Sequence, residues 1–212
     1  MDLFPPCPYK QLSFTKPQFF VYNERREEGV FFGGKLLHIE NENLTIRDAV
    51  PSDATSLCAW WNDGKVMAHA GFPMGLQTSP LEVTQQILKS NDQFRLLIIE
   101  ADGNPIGEMN YRLTDPKTAE IGIKICDFGY QGKGYGPILI QMLLEHLFVQ
   151  LSMKRVILDT NLNNTRAQHV YEKCGFKKIR VNPDAWMDQT GVRQTSVDYE
   201  LTSNDFFKIE RN

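Results

Sequence analysis

The chain has few cysteines, and neither they nor the histidines are clustered. Its four cysteines, Cys7, Cys58, Cys126 and Cys174, lie far apart and form no CxxC pair, which excludes a dense disulfide framework. The four histidines show no HxxxH or CxH spacing, so a metal site has no local support. These absences predict a reduced, cytoplasmic protein without a bound metal ion.

Long hydrophobic runs and an excess of basic charge are also absent. An apolar run such as Leu96–Ile99 is far shorter than the roughly 20 residues that a membrane-spanning helix needs. Residues Met1–Pro6 contain no basic start followed by an apolar segment, so no secretory signal is recognised. The net charge of −3 at pH 7 argues against a protein whose main partner is a phosphate backbone. We therefore expect no membrane and no nucleic acid among its partners.

The length and composition suit one packed domain with a short extension. The 212 residues are 42% hydrophobic and 23% charged, which is typical of a globular chain. Residues 1–43 contain several prolines and the charged run Asn23–Glu28, and their strand-like segments are limited to Gln18–Tyr22 and Val30–Phe32. We interpret residues 1–43 as an N-terminal extension that packs on a domain formed by residues 44–212.

From Leu44 onward, strand-like and helix-like patterns alternate without an internal repeat. The best-marked helix start is Ser79–Glu82, where Ser79 caps, Pro80 takes the first position and Glu82 closes a capping box. The predicted elements are a strand at Leu44–Arg47, helices from Pro51 and Ser79, strands at Phe94–Glu100, Pro105–Leu113 and Ala119–Cys126, a helix from Pro137, a strand at Arg155–Asp159, a helix from Thr165, and strands at Lys177–Val181 and Thr195–Leu201. Asn182–Arg193 is expected to be a loop. This order indicates one mixed α/β (α+β) domain.

The glycine-rich loop Gly132–Gly136 joins a predicted strand to a predicted helix. Glycines allow backbone amides to converge, and the positive end of the following helix dipole points at the same place, so the arrangement favours an anion. Lys133 is followed by Gly134 and not by Ser or Thr, which disfavours a nucleotide triphosphatase loop, and the spacing does not fit a dinucleotide-binding GxGxxG. A glycine-rich connection without any ligand is the alternative.

Three motifs carry a family resemblance. Gln131–Gly136 reads Gln-Gly-Lys-Gly-Tyr-Gly and resembles the Q/R-x-x-G-x-G/A motif of the GNAT superfamily of N-acetyltransferases. Glu120 lies eleven residues before Gln131, where that family has an acid, and Asn164–Phe176 resembles the family's N-x-x-A-x-x-x-Y-x-K-x-G-F helix. Trp60–Asp63 is similar to the ribosomal-protein-acetyltransferase (RimJ/RimL-like) branch. The resemblance implies a GNAT-like acyl-CoA acyltransferase fold, with a central twisted, mostly antiparallel sheet flanked by helices.

The resemblance also implies the cofactor and the residues that bind it. The cofactor is acetyl-CoA, whose pantetheine arm is expected in a gap where the strand ending at Cys126 splays from the strand starting near Arg155. The expected cofactor-binding residues are Ile125, Cys126 and Asp127 through their backbone, Gln131, Gly132, Lys133, Gly134, Tyr135 and Gly136 in the loop, and Asn161, Asn164 and Lys173 beyond it. Asn164 is equally well explained as a helix N-cap, and Lys133 as a solvated loop lysine.

Catalytic roles follow from the same resemblance. The expected reaction is direct transfer of the acetyl group to a primary amine in a ternary complex, with Glu120 as general base acting through water and Glu108 as its competitor. Tyr171 is the expected general acid for the leaving thiolate, although its helical spacing with Ala167 and Val170 also suits a core aromatic. Covalent catalysis by Cys126 or Cys174 is disfavoured, because no His-plus-acid arrangement is evident near either residue.

The acceptor side is the least determined part of the prediction. The resemblance places Trp60, Trp61, Asp63 and Phe72 in the region of the acceptor wall, and Trp186 is expected to close the other side. These residues do not separate a peptide N-terminus from a polyamine or an aminoglycoside. A non-catalytic acyl-CoA-binding sensor or scaffold is the alternative function, and the chain is expected to be a monomer or a homodimer.

Overall fold

The computed structural model describes residues 36–209, so the strands predicted at Gln18–Tyr22 and Val30–Phe32 lie outside the described residues. The strands are β1 His38–Asn41, β2 Leu44–Asp48, β3 Phe94–Ala101, β4 Asn104–Asp115, β5 Thr118–Ile125, β6 Arg155–Asn161, β7 Lys177–Met187 and β8 Arg193–Thr202. The helices are α1 Ala54–Asn62, α2 Gly64–Met67, α3 Pro80–Ile87, α4 Tyr135–Glu145, α5 Thr165–Lys173 and α6 Ser203–Ile209. Short 3-10 turns occur at Pro51–Asp53, Ala68–Ala70 and Phe128–Tyr130, and α4 continues into a π turn at His146–Gln150.

The strands form a single sheet in the order β1-β2-β3-β4-β5-β6-β8-β7. Every neighbouring pair is antiparallel except β5 and β6, which are parallel. A parallel pair needs a crossover connection, and α4 supplies it here. The mixed α/β class and the mostly antiparallel sheet predicted from the sequence are confirmed.

The two parallel strands separate soon after they begin. β5 pairs with β6 only where Thr118–Glu120 lies beside Arg155–Ile157. Beyond Glu120, β5 continues for five residues beside β4 and has no ladder to β6. The predicted splay between these strands is therefore present, and it leaves a gap in the middle of the sheet.

Both faces of the central strands are buried. Leu97 and Ile99 belong to a large core that includes apolar residues of α4 and α5, whereas Leu96 and Ile98 belong to a smaller core with α1 and α3. Alternate residues of a strand point to opposite faces, so a continuous apolar run is expected for a strand covered on both sides. Helices therefore flank the sheet on two faces.

Several local sequence patterns form the caps and turns that are typical of them. Ser79 and Glu82 form the capping box of α3, with Pro80 at its first position. Asp102 and Gly103 both have positive φ, as a tight hairpin turn between β3 and β4 requires. Gly175, at φ 85°, follows the end of α5 in the left-handed conformation that ends many helices.

Three elements differ from the prediction. β1 lies within the residues assigned to the extension, yet it pairs with β2 and forms the edge of the sheet. Trp186 does not lie in a loop: it belongs to β7 and pairs with Gln194, because pairing resumes after a register shift between Asn182 and Trp186. The helix α6 was missed, although Thr202 caps it by accepting a hydrogen bond from Asp205 N–H at 3.2 Å.

Candidate functional site

A cleft of about 700 Å³ lies at the gap between β5 and β6. Its walls come from α2 and the turn after it, the end of β5, the glycine-rich loop, the end of β6 and one face of α5. The lining residues are Lys65, Val66, His69, Ala70, Ile123, Lys124, Ile125, Phe128, Gln131, Gly132, Gly134, Tyr135, Gly136, Pro137, Thr160, Asn163, Asn164, Thr165, Arg166, His169, Val170 and Lys173. A cavity of this size matches the sites that enclose small molecules and cofactors.

The charge of the cleft differs in sign from that of the whole chain. Four basic side chains line it, namely Lys65, Lys124, Arg166 and Lys173, and no Asp or Glu is among the lining residues of the described part. The chain as a whole carries a net charge of −3. Lys124 is paired with the buried Glu108, whereas Lys65, Arg166 and Lys173 add further positive charge, and a basic cleft in an acidic protein favours a polyanionic ligand.

The glycine-rich loop is open toward the cleft. Gly132 and Gly134 have φ angles of 76° and 82°, and a side chain added at either position would meet no atom within 4 Å. Gly134 is the N-cap of α4 and contributes no capping side chain, so the amides of Tyr135 and Gly136 begin the helix without a side-chain partner from the cap. This arrangement can accept phosphate oxygens at the positive end of the helix dipole.

Gln131 connects the two sides of the gap. Its Nε2 donates to the carbonyl of Ile125 at 2.9 Å, and its Oε1 accepts from Arg166 Nη1 at 3.1 Å. The side chain therefore links the end of β5 to the first turn of α5. Gln131 fixes the loop in position relative to both walls of the cleft.

The backbone of β5 presents only alternate residues to the gap. The amides of Cys126 and Asp127 both donate to the carbonyl of Ile106, at 2.8 and 3.0 Å, and therefore point toward β4. The carbonyl of Ile125 points the other way, toward Gln131, and Ile123 has the same orientation because strand residues alternate. The backbone groups available to a ligand arm are thus those of Ile123 and Ile125, not the amides of Cys126 and Asp127.

Glu108 is held by two donors. It is 3% exposed, its Oε2 accepts from the indole nitrogen of Trp61 at 2.7 Å, and its Oε1 lies 3.3 Å from Lys124 Nζ. Lys124 Nζ also lies 2.9 Å from the Sδ of Met67. Both carboxylate oxygens of Glu108 are therefore engaged by the protein itself.

Glu120 has a different environment on the same face of the sheet. Its side chain is 12% exposed, and its Oε2 accepts from Arg112 Nη2 at 2.6 Å. Glu120 is the last residue of β5 that pairs with β6, at the point where the strands separate. It does not line the cleft, which begins three residues later at Ile123, about 10 Å along the strand.

Tyr171 is fully buried beside the cleft. Its ring packs against Tyr199 and Phe176, with ring centroids 5.1 and 6.3 Å away, and its neighbour Val170 lines the cleft. The hydroxyl of Tyr199 donates to Glu172 Oε1 at 3.0 Å, and burial raises the Tyr199 pKa well above its ordinary range. The ring of Tyr171 is thus part of the core, as the alternative in the sequence analysis expected.

Cys126 and Cys174 have the environments of structural residues. Burial raises the pKa of the Cys126 thiol well above its usual range, so it is not a thiolate at neutral pH. The Cys174 thiol is buried and lies 2.6 Å from the carbonyl of Val170. Neither environment activates a nucleophile.

The remaining cofactor-binding candidates divide into two groups. Asn164 lines the cleft and also caps α5, its Oδ1 accepting from Ala167 N–H at 3.3 Å, so both interpretations of this residue are compatible. Lys173 lines the cleft as well. Lys133 is not among the lining residues and lies over the ring of Tyr130 at 4.6 Å, and Asn161 is buried with its amide donating to Gln194 at 2.7 Å.

The acceptor-side candidates surround the cleft without lining it. Trp60 and Trp61 pack against the smaller core, and Phe72 is half-buried. Asp63 caps α2 by accepting from Lys65 N–H at 2.7 Å. Trp186 contacts Gly71, next to the segment that does line the cleft. Asp63 and Trp186 therefore lie at the border of the site, beside the segment of Lys65–Ala70 that lines it, whereas Trp60 and Trp61 belong to the packing of α1.

Sequence reasoning did not assign several lining residues. Arg166 and His169 lie three residues apart on α5, and the predicted residue Lys173 follows four residues later, so all three share one helical face. This spacing was a usable signal for the two residues that were not assigned. Lys124 was not identifiable in the same way, because its partner Glu108 comes from the neighbouring strand.

Comparisons with known proteins agree with this geometry. A model of the acetyltransferase (GNAT) domain family matches residues 43–177, so the chain belongs to that family and is an N-acetyltransferase. This result confirms the predicted family and enzyme class.

Among the described residues, no helix is both long and apolar enough to cross a membrane, and no group of three His, Cys, Asp or Glu side chains could hold a metal ion.

Three individual proteins illustrate the similarity. The SPbeta prophage-derived N-acetyltransferase YokL of Bacillus subtilis is 27% identical over 170 residues, which cover 76% of this chain and 94% of YokL. Spermidine N(1)-acetyltransferase of Vibrio cholerae is 32% identical over 100 residues, covering 45% of this chain and 56% of that protein. Its crystal structure with CoA and spermine superposes with a TM-score of 0.71 at 23% identity, covering 79% of this chain and 99% of that one. The ribosomal L7/L12 N-acetyltransferase RimL shares the fold, with a TM-score of 0.67 at 18% identity over 80% of this chain and 96% of that one.

Proposed function

We propose that this chain transfers the acetyl group of acetyl-CoA directly to a primary amine held in the same complex. The observation that carries the proposal is the cation-lined cleft, which begins at the glycine-rich loop and continues into the gap between β5 and β6. A ligand with phosphates at one end and an amide-bearing arm at the other fits both parts of such a cleft. The donor is also consistent with the CoA in the Vibrio cholerae structure.

Different residues of the chain hold the two ends of the donor. The amides of Tyr135 and Gly136 receive the diphosphate, and Arg166 and Lys173 add charge beside it. The backbone of Ile123 and Ile125 holds the amides of the arm by extending the sheet into the gap. When bound, acetyl-CoA supplies the acetyl group as a thioester.

Glu120 is the general base in this proposal. The amine arrives as an ammonium ion, and its proton passes through water to Glu120, because the carboxylate lies outside the cleft lining. Glu120 is held by a single arginine, Arg112, whose side chain is 45% exposed, whereas Glu108 is engaged by both Trp61 and Lys124. Glu108 therefore anchors the acceptor wall and takes no proton.

Tyr171 is the general acid that protonates the leaving thiolate. Its support is its place on α5, next to Val170 in the cleft wall, with its ring held in one orientation by Tyr199 and Phe176. Because a phenol is a weaker acid than a thiol, the transfer needs contact with the sulfur. The proposed acceptor is a primary amine. The proposed oligomeric state of the chain is a monomer or a homodimer.

Calorimetry on the full chain tests the donor assignment. We expect acetyl-CoA and CoA to bind and ATP not to bind at the same concentration. Release of free CoA thiol is then followed with a panel of primary amines. No binding of acetyl-CoA to the folded protein would refute the assignment of the cleft, and binding without thiol release for any amine would refute the proposed transfer.

A further inference from the structure

One segment covers the strand gap on the face of the sheet where α1 packs. We call residues 64–75 the roof. The Sδ of Met67 lies 2.9 Å from Lys124 Nζ on β5, and the turn Ala68–Ala70 lies against β6, so the roof reaches from one separated strand to the other. Residues 65, 66, 69 and 70 of the roof line the cleft. An acceptor that approaches from this face meets the roof first.

The hairpin between β7 and β8 is fastened to the roof by Gln189. The backbone N–H of Gln189 donates to the carbonyl of Gly71 at 2.8 Å, and its Nε2 donates to the carbonyl of Gly75 at 2.9 Å. Its Oε1 accepts from the backbone N–H of Met74 at 3.0 Å. All three bonds end on roof backbone, and one side chain supplies two of them, so Gln189 is the main polar connection between the two segments.

Trp186 adds an apolar contact at the same place. A Cβ built on Gly71 would lie 2.4 Å from Cζ3 of the Trp186 ring, and Gly71 has φ 92°. The ring therefore occupies the space above a glycine backbone, and any other residue at position 71 would displace it. Contact with the roof backbone rather than with flexible side chains gives this end of the roof a defined position.

We propose that Gln189 and Trp186 form a clasp that fixes the roof and makes the enzyme selective for slender, unbranched primary amines. This inference rests on the proposed function. The cleft of about 700 Å³ must hold the donor arm and the acceptor together. Pockets of about this size are filled by a single drug-sized ligand, so little space is left for the acceptor beneath the fixed roof. Gln189 and Trp186 touch neither ligand directly and are specificity-determining positions.

The test compares Gln189→Ala with Val192→Ala in the full chain. Val192 lies in the same hairpin and is 55% exposed, so its truncation is the matched control. Thiol release is measured with spermidine as the unbranched amine and kanamycin as the bulky one. In Gln189→Ala, kcat/KM for kanamycin relative to spermidine is expected to rise about tenfold, the discrimination that a change in pocket shape supplies. In Val192→Ala the ratio is expected to stay within about twofold of wild type.

Hydrogen exchange provides a readout that does not depend on activity. Faster exchange of the roof amides is expected in Gln189→Ala and Trp186→Ala but not in Val192→Ala. Calorimetry with CoA is expected to give wild-type affinity in all three variants, since none of these residues lines the cleft.

The outcomes separate the two proposals. A wild type that prefers kanamycin, or an active Gln189→Ala variant with an unchanged ratio, overturns the clasp and leaves the proposed function standing. A wild type that binds acetyl-CoA but acetylates neither amine counts against the proposed transfer, and the selectivity inference falls with it.

Discussion

The indole N–H of Trp61 donates a 2.7 Å hydrogen bond to Oε2 of Glu108. The sequence suggested Trp61 for the acceptor wall and Glu108 as a competing base, and the two residues are 47 positions apart. Their contact, completed by Lys124 on the other oxygen, changes the interpretation of both. A carboxylate that is 3% exposed and held by two donors is a structural anchor, and Trp61 is the residue that connects α1 to it.

The first prediction concerns the ion pair in this cluster. Glu108→Gln and Lys124→Met each leave a buried partner without its opposite charge, so each is expected to lower the free energy of unfolding by about 3 kcal/mol. The double variant is expected to lose about 1–2 kcal/mol less unfolding free energy than the two single variants lose together. Urea unfolding of all four proteins measures the cycle, and strict additivity would show that the pair is not coupled.

The second prediction concerns the base. Glu120→Gln preserves the size of the side chain and removes its capacity to accept a proton, so kcat is expected to fall about 100-fold. Affinity for acetyl-CoA, measured by calorimetry, is expected to stay unchanged because Glu120 does not line the cleft. Full turnover in this variant would remove Glu120 from the mechanism.

The third prediction separates the two roles of Tyr171. Tyr171→Phe keeps the ring that packs against Tyr199 and Phe176 and removes only the hydroxyl. We expect kcat to fall about 100-fold while the melting temperature changes little. Tyr199→Phe is the control, since it loses the hydrogen bond to Glu172 but is expected to retain its activity. Equal turnover of the two variants would leave Tyr171 a core residue only.

The fourth prediction compares two glycines that share a backbone conformation. Gly134 and Gly103 have φ angles of 82° and 75°, and a Cβ at either position meets no atom within 4 Å. Alanine at each is expected to cost about 1 kcal/mol of stability through backbone strain. Gly134→Ala, in the loop, is also expected to weaken acetyl-CoA binding about tenfold by shifting the amides that begin α4, whereas Gly103→Ala, in the turn between β3 and β4 and outside the cleft lining, does not. Equal affinities would show that the loop does not hold the phosphates.

The fifth prediction concerns stability in acid. Burial, with a smaller contribution from Arg95, lowers the pKa of His146 from its ordinary value of 6.5 to about 4. Between these values the unfolded chain binds a proton that the folded chain does not, so stability falls as the pH falls from 6.5 to 4. The expected loss is on the order of 3 kcal/mol.

Replacement of His146 tests this prediction. In His146→Phe, the difference in unfolding free energy between pH 7 and pH 4.5 is expected to shrink relative to wild type, because the titrating group is gone. An unaltered pH dependence in His146→Phe would assign the acid sensitivity to other groups.

The sequence by itself determined the features that depend on a few neighbouring residues. Ser79 and Glu82 specify a capping box within one helical turn, and Gly132 and Gly134 specify an open loop before a helix. The spacing of Asn164, Ala167 and Tyr171 places them on α5 in the correct order. The order of such elements indicated the mixed α/β class, and the resemblance of the loop and of the α5 motif to a known family implied the enzyme class and most of the loop residues in the cleft.

Only the tertiary structure decided which distant residues meet. The pairing of β4 with β5 places Glu108 beside Lys124, and the amides of Cys126 and Asp127 turn toward Ile106 because of the local pairing of the same strands. Asn182–Arg193 was expected to be a loop, yet strand pairing resumes at Trp186 and brings it to Gly71, more than 100 residues away in the sequence. Strand register and long-range pairing leave no periodic pattern in the local sequence, because they are set by the packing of the whole sheet.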